Sequence, residues 1–319
     1  MELNNLVKSI EKSRKIGITC HTSPDGDSLG SLLALYQGLL KLNKEAYIMS
    51  KELLPETFEY LPFCHEVKKN IDFVIDDTDT VIVLDCGNVE RINSNIDIEN
   101  RKYTLINIDH HLSNDLYGDV NYVDVKAAAV GEIIYELFNL MSIEIDKDIA
   151  VCLYTSLLTD TGSFRHSNTT YRTHKIAGDL IDTGIDFSQI HRNIFENMKY
   201  PRLKLQGKVI EGMYLALNDK ICIMELTQDV LEEYNMNKGD TSDIVSIGGR
   251  INTVEVTILL KETEDGVKVS LRSKNIVDVR KIAEKFGGGG HVRAAGFSVN
   301  NSVEEIKDIL IKDIEKELV

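Results

Sequence analysis

The run Thr80-Val81-Ile82-Val83-Leu84 is the feature that most restricts how this chain can fold. It is continuous, apolar and β-branched, so as a strand it has no polar face to turn to water. Strands of this kind belong to parallel sheets that are covered on both faces. Ile16–Cys20, Ala46–Met49 and Tyr103–Ile108 are further short apolar runs of strand type. Between them Leu29, Leu32, Leu33, Tyr36, Leu39 and Leu40 recur at helical spacing, which places a helix from near Ser28 onward. Val130–Leu140 and Lys147–Leu158 have the same helical character. The first half is therefore expected to be an α/β domain with a doubly wound, mostly parallel sheet.

The second half starts afresh. A mixed-charge helical stretch at residues 187–206 is expected to link a first domain, residues 1–186, to a smaller one, residues 207–319. In the smaller domain Lys220–Leu226 reads as a strand and Gln228–Tyr234 as a helix. Thr253–Lys261 and Val267–Ser273 read as a strand pair across the turn Glu264-Asp265-Gly266. Asp278–Phe286 is a helix ended by four glycines, Ala294–Val299 a last strand, and a helix from Val303 closes the chain. This pattern predicts an α/β domain with a mixed sheet.

Charge narrows the partners. The chain carries 36 Lys and Arg against 51 Asp and Glu, a net charge of −15. A protein that coats long duplex nucleic acid neutralises many phosphates and is usually basic, so that role is not expected. A small phosphate ligand remains compatible, because bound divalent cations dominate the field around them. The five cysteines at 20, 64, 86, 152 and 222 show no C-x-x-C pairing, so neither a disulfide framework nor a zinc knuckle is expected. No apolar run approaches the ~18 residues of a membrane span. The first fifteen residues lack the apolar block of a signal peptide. A cytoplasmic protein without a membrane partner is the expectation.

In open α/β sheets, ligands bind beyond the carboxyl ends of the strands. The first strand is followed by His21-Thr-Ser-Pro-Asp25-Gly-Asp27-Ser28, the third by Asp85-Cys86-Gly87, and the fourth by Asp109-His110-His111. The Lys147 helix ends in Asp160-Thr161-Gly162-Ser163-Phe164-Arg165. Singly, each has a simpler explanation; Asp27, for instance, could cap the helix near Ser28. Together they bring five Asp and three His to one rim. Uncompensated, those carboxylates repel one another, and two divalent cations would stabilise them. Carboxylate and imidazole donors without thiolate suit manganese or magnesium and tolerate cobalt or iron. Two such ions about 3.5–4 Å apart can clamp the attacking and leaving oxygens of a phosphoryl transfer.

The same segments, taken with Gly287-Gly288-Gly289-Gly290-His291, resemble the DHH phosphoesterase family and its associated C-terminal domain. In length and architecture the chain is most similar to the NrnA-type members, two-domain hydrolases without an added OB-fold. The resemblance implies that His21 and Asp25 bind one metal, that Asp27, His110 and Asp160 bind a second, and that Asp85 bridges both. It implies Asp109 as a residue that orients the site, and leaves His111 as the phosphate contact or general acid. Successive residues leaving a strand point to opposite sides, so His110 and His111 are expected to differ in role. Arg165 is placed to hold a phosphate oxygen through its planar fork. In the second domain Gly288, Gly289, Gly290, His291 and Arg293, with Arg272, form the candidate nucleotide-holding surface, since glycines let backbone N–H groups approach a phosphate.

The implied activity is manganese-dependent hydrolysis of very short oligoribonucleotides (nanoRNA) to mononucleotides, with removal of phosphate from adenosine 3′,5′-bisphosphate. The implied substrates lie in a cleft between the domains, which limits their length. Assembly as a homodimer is compatible with the sequence. A phosphodiesterase for pApA or cyclic di-AMP shares every metal residue and is the alternative. An inorganic pyrophosphatase and an inert nucleotide sensor rank behind it.

Overall fold

A computed structural model describes residues 3–69, 71–236 and 241–318, and the chain divides into two compact units, Met1–Asn197 and Met198–Val319.

The first unit runs α1 (Leu3–Lys12), β1 (Lys15–Thr19), α2 (Gly26–Lys41), β2 (Glu45–Ile48), α3 (Cys64–Val67), β3 (Thr80–Leu84), β4 (Thr104–Asp109), β5 (Val120–Val123), α4 (Val130–Leu140), α5 (Lys147–Asp160), α6 (Tyr171–Asp182) and α7 (Phe187–Phe195). Its five strands lie in the order β2-β1-β3-β4-β5 and pair in parallel throughout. The two-residue period divides the apolar strand residues between faces. Ile16, Ile18, Ile82, Leu84, Ile106 and Ile108 pack with apolar residues of α2, α4 and α5. Tyr47, Met49, Val81, Val83 and Leu105 pack on the other face against Ile71, Val74, Ile75, Ile92 and Ile96. The parallel α/β sheet is thus as expected. Long helices cover one face, whereas irregular segments and single turns roof the other.

The strand order reverses direction between β1 and β3, and a crevice opens beyond the carboxyl ends of strands at such a point. The helices α2, α4 and α5 converge there. Gly131 in α4 makes that approach possible: a Cβ on it would lie 2.1 Å from Ser156 Oγ of α5.

The second unit runs α8 (Tyr200–Gly212), β6 (Tyr214–Ala216), β7 (Ile221–Leu226), α9 (Gln228–Glu233), β8 (Val256–Thr263), β9 (Gly266–Ser273), α10 (Val279–Glu284), β10 (Gly289–His291), β11 (Ala294–Val299) and α11 (Val303–Glu317). Its six strands are ordered β10-β11-β9-β8-β7-β6. Among the described residues only β7 and β8 pair in parallel, so the sheet is mixed, as expected. Ile282, Ala283, Ile306 and Leu310 of α10 and α11 bury one face. Leu205 and Val209 of α8 and Leu231 of α9 bury the other.

The stretch 187–206, expected as one helical connector, contains all of α7 and the start of α8. Ile190 of α7 is buried in the core of the first unit, and Leu205 of α8 in that of the second. The glycine run is not wholly loop: Gly289–His291 forms the edge strand β10. All five cysteines are free thiols. Among the described residues no helix is long and apolar enough to cross a membrane.

Candidate metal centre

The four strand-end and helix-end segments meet at one rim of the parallel sheet. His21 leaves β1 and is held by pairing of its flanks with residues 91–93: Thr22 N donates to Arg91 O at 2.7 Å and Asn93 N to Cys20 O at 2.9 Å. The ring nitrogen Nδ1 lies 2.7 Å from Thr22 O, which keeps that nitrogen protonated and turns Nε2 inward. Nε2 lies 3.7 Å from Asp25 Oδ2 and 3.4 Å from Asp85 Oδ2.

Asp25, not Asp27, is the N-cap of α2. Its Oδ1 accepts from the backbone N–H groups of Asp27 and Ser28, and its other oxygen is left for His21. Asp27 sits inside the first turn. It is 1% exposed, with Oδ2 accepting from Val130 N at 2.8 Å and Oδ1 from Ser156 Oγ at 2.6 Å. The first N–H groups of α4 thus point at this carboxylate, as helix N-termini favour.

Asp85 follows β3 in a left-handed backbone conformation, φ +53°, which Asp tolerates better than most residues. Its carboxylate is 3% exposed and lies between two sets of imidazoles. Oδ2 faces His21, while Oδ1 lies 3.5 Å from both His110 Nε2 and His111 Nδ1 and has no hydrogen-bond partner among the described residues. A buried carboxylate oxygen without a donor is rare, and its charge suits a cation.

His110 and His111 do not point to opposite sides. Their rings stand edge to face with centroids 4.7 Å apart, because β4 ends at Asp109 and the strand's alternation ends with it. Their hydrogen bonds still differ. His110 Nδ1 lies 3.1 Å from Ala127 O, which leaves Nε2 to face Asp27 Oδ2 and Asp160 Oδ2, each at 3.7 Å. His111 Nδ1 lies 2.7 Å from Asp109 Oδ1. The buried Asp109 also accepts from His110 N at 2.7 Å and from Asn114 Nδ2 at 2.5 Å, so both its oxygens are occupied by donors.

Two three-residue groups result, His21 with Asp25 and Asp85, and Asp27 with His110 and Asp160; in each, donor atoms lie within 4.8 Å of one another. Asp85 also groups with His110 and His111. The electrostatics are those of a cluster short of positive charge. Burial, with Asp85 and Asp160 nearby, pushes the Asp27 carboxyl well above its usual range. Burial and Asp85 push Asp160 up to about 6 against the favourable pull of His110. Burial alone would lower His21 and His110, but the surrounding carboxylates prevail and raise them to about 10 and about 11. Asp109 raises His111 as well. Protons on these groups stand where cations would bind. The donor set, oxygen and imidazole with one unpartnered carboxylate oxygen at its centre, fits divalent cations.

The other predicted residues do not belong to these groups. Arg165 is exposed, and its Nε donates to Gly162 O at 2.7 Å. In the second unit, Arg272 Nη1 donates to Leu271 O at 2.9 Å and Arg293 Nη1 to Val277 O at 2.9 Å, so both guanidinium groups are engaged with backbone. Gly288 and Gly290 are explained by packing: a Cβ would lie 2.3 Å from Gly296 O and 2.4 Å from Ala294 O, respectively. Gly289 has open space where its Cβ would be, and His291 beside it is exposed.

Ser156, Asn114, Arg91 and Asn168 also serve the site and were not anticipated. Ser156 had a signal, a hydroxyl on the buried stretch of α5 four residues before Asp160. The other three are polar residues outside the long helices and the strands, and only the tertiary fold supplies their neighbours.

Residues 15–157 match the DHH family, N-terminal domain, and residues 218–319 match the DHHA1 domain. The chain is 31% identical to the bifunctional oligoribonuclease and PAP phosphatase NrnA of Thermus thermophilus, over 95% of this chain and 90% of that protein. It is 30% identical to the protein of the same name from Bacillus subtilis, over 97% and 96%. Among solved structures, an exopolyphosphatase-related protein from Bacteroides fragilis superposes with a TM-score of 0.91 at 27% identity, covering 98% of this chain and 95% of that one.

Proposed function

This chain belongs to the DHH family, and we propose that it is a manganese-dependent phosphoesterase acting on very short oligoribonucleotides and on adenosine 3′,5′-bisphosphate. The observation that carries the reading is Asp85, a buried carboxylate whose two oxygens face different imidazoles, one oxygen having no hydrogen-bond donor among the described residues. His21, Asp25 and Asp85 would hold one cation; Asp27, His110, Asp160 and again Asp85 would hold the other. When bound, the cations supply electrostatic stabilisation to the phosphoryl oxygens.

The chain's own groups do the rest. Thr22 O and Ala127 O hold the protons on Nδ1 of His21 and His110, so that Nε2 of each is the donor atom. Asp109 fixes the ring of His111 and favours its charged form, which presents a proton on Nε2 to the leaving oxygen. Arg165 holds a phosphate oxygen. In the second unit Gly289 and His291 hold the nucleotide, joined by Gly288, Gly290, Arg272 and Arg293 as the frame around them. The substrate class is supported by the names of the curated relatives, and the preference for short chains by the net charge of −15.

The test is product analysis with manganese on dinucleotide, pentamer and 24-mer RNA, adenosine 3′,5′-bisphosphate, pApA and cyclic di-AMP. Fast release of mononucleotides from the dinucleotide and pentamer, with the bisphosphate also hydrolysed, is expected. Equal or faster turnover of the 24-mer, or turnover confined to pApA and cyclic di-AMP, would refute the assignment.

A further inference from the structure

The segment Ala127–Gly131 organises two members of the Asp27–His110–Asp160 group. Ala127 O receives the proton of His110 Nδ1 at 3.1 Å. Val130 N and Gly131 N donate to the Asp27 carboxylate at 2.8 and 3.3 Å. The third member, Asp160, lies on a different element, at the end of α5. One side chain joins the two: Asn168 Nδ2 donates to Ala128 O at 3.0 Å and to Asp160 O at 3.2 Å.

An amide nitrogen has two N–H donors, and both are used here. Both partners are carbonyl acceptors, so the amide cannot be reversed without setting oxygen against oxygen. Its Oδ1 is buried without a partner among the described residues, so the two donated bonds are the hydrogen bonds that orient the side chain. The loop that carries it is also fixed from the far side. Arg172 of α6 lies 2.7 Å from Asp124 and 3.2 Å from the fully buried Glu132, which ties α6 to the segment before α4 and to α4 itself.

We infer that Asn168 is a positioning residue, a clip that sets the spacing between the Ala127–Gly131 segment and Asp160, and through it the cation affinity of the Asp27–His110–Asp160 group. This rests on the cation-centre reading above. The clip does not touch the His21–Asp25–Asp85 group, so its loss should be felt on one side of the centre only. Partners of metal-binding residues of this kind typically change affinity by about 10–100-fold.

The experiment is titration of the full chain with Mn²⁺ alone, with free ion read by electron paramagnetic resonance, for wild type, Asn168→Ala and Asn168→Asp. Wild type should bind two ions. In Asn168→Ala one ion should weaken about 10–100-fold while the other stays within about twofold. Asn168→Asp, which sets carboxylate oxygen against two carbonyls, should weaken the same ion at least as much. Added to Asp160→Ala, Asn168→Ala should cost nothing further; added to Asp25→Ala, its cost should remain in full. Should Asn168→Asp not fold, Asn168→Ser supplies the second comparison, because it retains one donor and should recover part of the lost affinity. Two ions bound by Asn168→Ala as in wild type, or both ions weakened equally, would overturn the inference. A wild type that binds fewer than two ions would instead sink the cation centre itself, so the two failures are distinguishable.

Discussion

Asp85→Asn separates a cation-holding carboxylate from a structural one. The substitution keeps shape and removes one charge from a residue that lies 3.4 Å from His21 Nε2 and 3.5 Å from His110 Nε2. Unit charges about 4 Å apart interact by about 4 kcal/mol at an effective dielectric of about 20. In the protein without cations, attraction to the two imidazoles is offset by repulsion from Asp27 and Asp160, which Asp85 pushes up. Little net change in stability is therefore expected there, within about 1 kcal/mol. With cations the offset is gone, because every positive charge in the centre then attracts Asp85. A loss of about 4 kcal/mol is about a thousandfold in affinity per ion. Wild type at a thousand times its dissociation constant gains about 4 kcal/mol from one bound ion; Asp85→Asn at the same concentration gains about 0.4 kcal/mol. At roughly 2–4 °C per kcal/mol, the manganese-induced rise in Tm should fall from about 8–16 °C to about 1–2 °C. Thermal melts with and without manganese make the measurement. A variant that keeps the full rise, or one that loses several kcal/mol before any metal is added, would show that Asp85 is not a shared cation ligand.

Three further outcomes are expected. Manganese binding near pH 7 should release protons, from His21 and His110 and from the raised Asp27 carboxyl, readable by calorimetry in buffers of different ionisation enthalpy. The signs oppose: raised imidazole pKa values stabilise the cation-free fold fully below about 6.5 and lose that contribution as pH rises through about 10–11, while manganese affinity strengthens as pH rises. Release of no protons would contradict the protonated cluster. His111→Ala should lower kcat by about 10²–10⁴-fold while the manganese-induced rise in Tm persists; loss of both together would make His111 a cation ligand. Arg172→Ala should destabilise the fold by about 3–5 kcal/mol, because it leaves Glu132 buried and uncompensated, and Glu132→Gln should restore part of it in urea denaturation.

The parallel sheet was legible because Thr80–Leu84 and its neighbours carry no polar face, and the centre was legible because a parallel sheet sends every strand's end to one rim. Asp27 was harder. Near a helix start, capping and ligation use the same residue type, and only the fold shows that Asp25 takes the cap while Asp27 faces α4 and α5. The glycine run misleads for a related reason. Gly288 and Gly290 answer to close packing against β11, a demand that leaves no trace in spacing; Gly287, at φ +74°, and Gly289 have no such packing reason. Asn168 was out of reach, because its partners are carbonyl oxygens on two other elements and any loop amide looks alike in sequence.

Anomalous diffraction from crystals loaded with manganese tests the central claim most directly. Two peaks are predicted, one among His21, Asp25 and Asp85 and the other among Asp27, His110 and Asp160, with the Asp85 carboxylate between them. A single peak, or a pair that leaves Asp85 without a manganese neighbour on one side, would contradict it.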